Sequence, residues 1–346
     1  MTTFEYVKNL GAGWNLGNTL DAVLRRKSDT QELHETAWGN PTTTQEMVQT
    51  LKDAGFEIFR VPVTWYQQMG DAPDFIINEA FLSRVKEVVD YGINIGMTVI
   101  LNIHHENWHF PSEENFPSAK VKLEKVWTQI ANYFAHYPDK LILESMNEPR
   151  KEKTDVEWTG GDEEGRIVVM KLNQVFVDTV RATGGKNSTR MLLVPNYAAS
   201  CNENAMTDFI LPEGENIILS LHGYIPYGFS LGDDHTQNVW SESEQTDIDW
   251  LFIRIEKYFL SKGIPVILGE CGARRKYFNA QDRALWAAYY TKKAREYGVP
   301  CCWWDNGFLE GAETTEVFGL LNRHTLEWGF PEIMRAFVDG QKPVNL

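Results

Sequence analysis

The chain of 346 residues is long enough for one enlarged α/β barrel or for two ordinary domains. Its 33 Lys+Arg against 48 Asp+Glu leave a net charge of −15, a field that repels phosphate backbones and argues against a nucleic-acid partner. Four cysteines without C-x-x-C spacing exclude a disulfide scaffold, and no stretch is apolar enough to span a membrane.

In chain order, eight short apolar, β-branched runs end in polar residues. They end near Trp14-Asn15, Arg60-Val61-Pro62, Asn102-Ile103-His104, Met146-Asn147-Glu148, Val194-Pro195-Asn196, Leu221-His222, Gly269-Glu270 and Trp303-Trp304. Helical spacing occupies 44–54, 79–91, 123–134, 166–182, 247–261 and 282–297 between them. Strands alternating with helices give right-handed βαβ units and a parallel sheet, and eight such units close into a barrel. An open doubly wound sheet gathers its polar residues at one switch point, whereas here they sit at every strand end. The expectation is α/β, a single (β/α)8 TIM barrel spanning 1–346. Its chemistry then belongs at the C-terminal strand ends.

Two glutamates stand at such ends. Pro149 halts the fourth run just after Glu148. The apolar run V-I-L delivers Glu270 between Gly269 and Cys271. Two carboxyl groups on one rim are what glycoside cleavage needs, one to protonate the leaving oxygen and one to attack the anomeric carbon or activate water. Arg60 aims a fixed positive charge at the same mouth and keeps a nucleophilic carboxylate ionised. His222 and Tyr224, two apart, share one face of an extended segment and are placed to orient a carboxylate. The Asn147 amide suits a sugar hydroxyl, and Trp304 offers a flat platform. Twelve Trp exceed what a core needs, which also hints at carbohydrate. His104, His105 and His109 invite a metal reading. No H-E-x-x-H pattern accompanies them, so His104 is read as a neutral donor and no metal or cofactor is expected.

These residues, with the motifs around them, resemble glycoside hydrolase family 5, the cellulase family of barrel enzymes with glutamates on strands four and seven. The motifs are G-W-N-L-G-N-T-L-D-A at 13–22, N-P-T-T at 40–43, F-R-V-P-V-T-W at 59–65, M-N-E-P-R at 146–150, H-G-Y-I-P-Y at 222–227, G-E-C-G-A at 269–273 and W-W-D-N-G at 303–307. The resemblance is strongest to the clostridial and rumen-bacterial endoglucanases. It implies a retaining endo-β-1,4-glucanase acting on cellulose-type glucan, xyloglucan or mixed-linkage glucan, with Glu148 as acid/base and Glu270 as nucleophile. It also implies Arg60, His104, Asn147, His222, Tyr224 and Trp304 in the pocket, and a cleft lined by Asn18, Trp38, Trp65, His105, Tyr227 and Trp240. Further expectations are a cis peptide at Trp304–Asp305, a secreted monomer, and a β-glucan polysaccharide as the partner, although 1–10 lacks a signal-peptide core. Two departures, Cys271 in place of an aromatic and Tyr66 in W-Y-Q-Q-M-G, are expected to touch cleft shape and not chemistry. The rival readings are a metal-dependent barrel hydrolase, a mannanase or xylanase, and a glycan-binding barrel without catalysis.

Overall fold

Side chains of an extended segment alternate between two faces, and the strands of this chain use that alternation to stack a polar layer on an apolar one. The computed structural model describes residues 1–24, 34–232, 237–277, 279–311 and 316–342. Eight parallel strands pair in chain order and close: β1 (Gly13–Leu16), β2 (Ile58–Val61), β3 (Thr98–Asn102), β4 (Leu141–Glu144), β5 (Leu192–Pro195), β6 (Ile217–His222), β7 (Val266–Cys271) and β8 (Cys301–Asp305), the last returning to β1. The architecture is the (β/α)8 barrel expected from the alternation of strands and helices.

Inward positions near the strand starts are apolar. Ile58, Ile100, Ile142, Leu193, Ile218, Ile267 and Cys302 form one cluster, which Val7 and Leu10 close from below. Gly13 belongs to this layer; a Cβ there would lie 2.3 Å from the Cys302 sulfur. Two residues along each strand, the next inward positions are Asn15, Arg60, Asn102, Glu144 and Ser220, all buried. Polar groups at that depth must satisfy one another, and they do so as the floor of the site.

Outward-facing residues of the same strands pack against the surrounding helices, such as α1 (Gln45–Asp53), α2 (Glu79–Asn94), α3 (Phe116–Tyr133), α4 (Glu163–Ala182), α5 (Glu203–Thr207), α6 (Glu242–Tyr258), α7 (Ala280–Tyr297) and α8 (Pro331–Gln341). Thr44, Asn78 and Asp162 cap the helices they precede with side-chain oxygens. α3 and α6 begin several residues before their apolar periodicity does. Pro117 opens the first turn of α3, and a Ser241–Glu244 capping box opens that of α6. Such first turns carry polar residues and give no periodic signal.

β4 also departs from expectation. It ends at Glu144, so Met146, Asn147 and Glu148 lie beyond the regular ladder. A strand would turn Asn147 and Glu148 to opposite faces; the irregular segment lets both point into the mouth.

Candidate active site

Arg60 organises the mouth. Its Nε donates to Glu144 Oε2, its Nη1 to Asn15 Oδ1 and Glu270 Oε1, and its Nη2 to Asn147 Oδ1, each at 2.8 Å. Ser220 donates to the other oxygen of Glu144 at 2.8 Å. Burial alone would lower the Arg60 pKa, but Glu144 and Glu270 outweigh it and hold the cation charged. Arg60 therefore serves both a structural acid and the candidate nucleophile. Since Asn147 spends its oxygen on Arg60, its amide N–H groups are left for a ligand.

Glu270 reaches the mouth because β7 slips register between Leu268 and Cys271. That bulge turns the side chain inward beside His222, its register partner on β6. One Glu270 oxygen takes the Arg60 bond, and the other accepts the Tyr224 hydroxyl at 2.9 Å. Burial first, then the charges of Glu270 and Glu148, push the Tyr224 phenol well above its ordinary pKa, so it stays a donor.

Across the mouth, Glu148 Oε1 lies 2.7 Å from His222 Nδ1. Oxygens of Glu148 and Glu270 and a ring nitrogen of His222 all fall within 4.8 Å of one another. Burial was expected to leave Glu148 protonated. Burial does push it upward, but the His222 hydrogen bond and the charges of His222, Arg150 and Arg60 prevail and hold the carboxyl below its usual range. His222 moves the opposite way: burial pulls it down, and Glu270 and Glu148 more than restore it. The proton of the pair thus rests on the imidazole side.

His104 and Trp304 form a wall, their rings parallel within 2° and 5.7 Å apart. Burial, followed by the positive groups around it, lowers the His104 pKa well below the ordinary value, and the imidazole is neutral. His105 stands edge-on to His104 and 5.7 Å from Trp38, and Asn18 sits at a positive φ beside Asp21. Tyr227 opens a short helix and is 66% exposed.

Three expectations fail. Trp65 is fully buried, its Nε1 donating to the Asn102 carbonyl and its ring set edge-on to Phe81, so it belongs to the core and lines no cleft. Trp240 packs against Phe229 and Tyr289 and, with Leu285 and Lys292, lines a depression on the outer face of α7. Trp304–Asp305 is trans, since the cis peptides among the described residues are Ala72–Pro73 and Ile225–Pro226. The ladder to β1 runs on through Leu16 and Asp305, and Arg323 binds both the carbonyl and the carboxylate of Asp305, which holds this stretch extended. Cys271, expected to touch cleft shape, is fully buried with its sulfur turned toward the Cys302 carbonyl.

Sequence reasoning also missed Asn15, Asn102, Glu144 and Ser220. Their only signal is a polar residue two positions after an inward apolar one. Two groups have metal-ligand chemistry, Asp21–His104–His105 and Glu148–His222–Glu270. Their lone pairs are already engaged. Asn102 bonds His104 Nδ1, the backbone N–H groups of Thr19 and Asn18 bond Asp21, and Arg60 and Tyr224 bond Glu270.

Residues 24–309 match the sequence profile of the cellulase family, glycosyl hydrolase family 5. The chain is 48% identical to endoglucanase B of Neocallimastix patriciarum over 97% of its own length and 71% of that protein's. A broad-specificity endoglucanase from Ruminococcus champanellensis, solved with cellotriose, superposes with a TM-score of 0.94 at 43% identity, covering 98% of each chain. A xyloglucan-specific endo-β-1,4-glucanase from a metagenomic library superposes with a TM-score of 0.93 at 41% identity, covering 97% of this chain and 98% of that one. With a profile match across most of its length and such identities on a shared barrel, the chain belongs to glycosyl hydrolase family 5.

Proposed function

We propose that this glycoside hydrolase is an endo-β-1,4-glucanase that cleaves cellulose-type glucan, xyloglucan and mixed-linkage glucan with retention of configuration. One observation carries the mechanism: oxygens of Glu148 and Glu270 approach within 4.8 Å. Retaining enzymes hold their carboxyl groups about 5–5.5 Å apart, whereas inverting ones leave about 6.5–9.5 Å for a water molecule.

In the first step a Glu270 oxygen attacks the anomeric carbon as the bond to the leaving oxygen breaks. That oxygen takes a proton from Glu148, which His222 resupplies. Arg60 and Tyr224 keep Glu270 ionised and aimed. In the second step Glu148 accepts a proton from water, whose oxygen displaces Glu270 from the same carbon. Asn147 N–H groups face the position of the sugar 2-hydroxyl, a contact that strengthens in an oxocarbenium-like transition state. His104 and Trp304 form the wall beside that sugar, and Asn18, Trp38, His105 and Tyr227 extend the cleft.

The endo specificity and the glucan substrates are supported by the names of the relatives. A polymeric substrate fits a secreted enzyme, and no helix among the described residues is long and apolar enough to cross a membrane. We further propose that it acts as a monomer, as a single domain over 1–346. Proton NMR of the first products tests retention: a β-anomer appears first, and an α-anomer overturns the mechanism. Activity that survives exhaustive chelation removes the metal-dependent reading.

A further inference from the structure

Trp158 is 57% exposed, yet it does not stand on a loose loop. Its carbonyl accepts from Asn202 Nδ2 and that of Thr159 from Asn204 Nδ2, both at 3.0 Å, which ties the segment after β4 to the segment after β5. The Arg150 guanidinium lies over the indole, 4.4 Å from its ring. The same guanidinium donates to the Glu148 carbonyl at 3.1 Å and comes within 3.8 Å of Glu148 Oε2. Glu157 fixes it from the other side at 3.0 Å and also accepts the Lys153 N–H at 2.7 Å. An open indole is thus held one guanidinium away from the carboxyl that touches the leaving oxygen. A rigid aromatic left open in this way costs exposed apolar surface and has no core to serve.

We infer that Trp158 is the acceptor-side platform of the cleft, stacking a glucosyl unit beyond the scissile bond; the inference rests on the reading of Glu148 as acid/base. His104 and Trp304 wall the sugar that is attacked from the β3 and β8 side. The leaving portion of the chain must then run past Glu148 toward the β4 and β5 loops, where Trp158 is fixed. The free indole face offers the flat apolar contact that a pyranose ring matches, and Arg150 stiffens the opposite face.

The glycosyl-enzyme provides the test. The protein is trapped with a 2-deoxy-2-fluoro cellobioside, freed of excess reagent, and allowed to recover with water alone or with cellobiose. In the acceptor reaction the cellobiose 4-hydroxyl oxygen bonds to the anomeric carbon, its proton passes to Glu148, and the ester bond to Glu270 breaks to release the carboxylate. For Trp158→Ala, the acceptor-dependent rate falls about tenfold relative to the water-dependent rate of the same variant, as expected for one lost aromatic stack. Trp158→Phe falls between. Because Glu148 is the base in both reactions, a role confined to holding Arg150 would slow them together and leave the ratio unchanged, which overturns the platform. If no trapped enzyme forms, the reading of Glu270 fails separately. Calorimetric titration of cellohexaose into Glu270→Gln protein then decides the platform alone, and a Kd indifferent to Trp158→Ala overturns it.

Discussion

Asn102 Nδ2 lies 3.1 Å from His104 Nδ1, and the orientation of that amide is fixed by its oxygen, which accepts the Val63 N–H at 3.1 Å. The amide nitrogen is a donor, so His104 Nδ1 accepts and the hydrogen sits on Nε2. A buried asparagine below the mouth thereby chooses which face of the imidazole offers a proton to the sugar.

Replacing that asparagine reverses the choice. Asn102→Asp keeps an acceptor for Val63 but takes a hydrogen from Nδ1, turning Nε2 into an acceptor or charging the ring. We expect kcat/KM to fall by about 10-fold to 100-fold, the scale of one misdirected active-site hydrogen bond. Nitrogen NMR of the histidines should show the Nε2–H tautomer in the native protein and its loss in the variant. An unchanged spectrum with unchanged activity rejects the assignment.

The two carboxylates separate by leaving group. Glu270→Gln should lower kcat by at least about 10⁴-fold on every substrate, because the attacking atom is gone. Glu148→Gln should lose comparably on cellulosic substrates but much less on an aryl cellobioside with an acidic leaving group, which needs little protonation. Equal losses on both substrate types would remove the acid role.

The His222–Glu148 pair sets the alkaline limb. His222 is raised above its ordinary value, so the pair keeps its proton through that range and loses it as pH rises further. In His222→Ala, the cationic donor that held Glu148 down is gone and the carboxyl alone carries the proton, so the alkaline limb of kcat/KM moves to lower pH. The same sign governs stability. The His222 contribution is fully present below its unfolded pKa and fades as pH climbs through the raised folded value. Measuring kcat/KM across pH for both proteins checks the shift.

Gly17 makes room for Trp304. A Cβ at residue 17 would lie 2.8 Å from Trp304 Cζ2 and 2.8 Å from the Asp305 carbonyl. Gly17→Ala must push the indole away from His104. It should raise KM on glucans and destabilise the fold by about 1–3 kcal/mol, as overpacking does. Denaturant titration together with KM on cello-oligosaccharides tests both halves.

Glu144 is the counter-charge beneath the catalytic pair. Removing one partner of a buried ion pair typically costs about 3–5 kcal/mol. Glu144→Gln should cost less than that, because Glu270 still faces Arg60 and the amide can accept one bond. The expected result is a lower denaturation midpoint with Glu270 drawn more firmly to Arg60. A variant as stable as the native protein would show that Glu144 is dispensable to the floor.

The sequence by itself determined the barrel and the identity of the rim residues. Strand periodicity and Pro149 are local properties of the chain, and each marks a strand mouth wherever the rest folds. The same local evidence misplaced Trp65 and Trp240, because an indole reads alike whether it fills a core or faces a cleft. Only the closed barrel decided the polar floor of Asn15, Asn102, Glu144 and Ser220, whose partners come from different strands. It also decided where the proton of the Glu148–His222 pair rests. That balance depends on burial and on charges brought together from β2, β4, β6 and β7, and distances between strands are not written in any one of them.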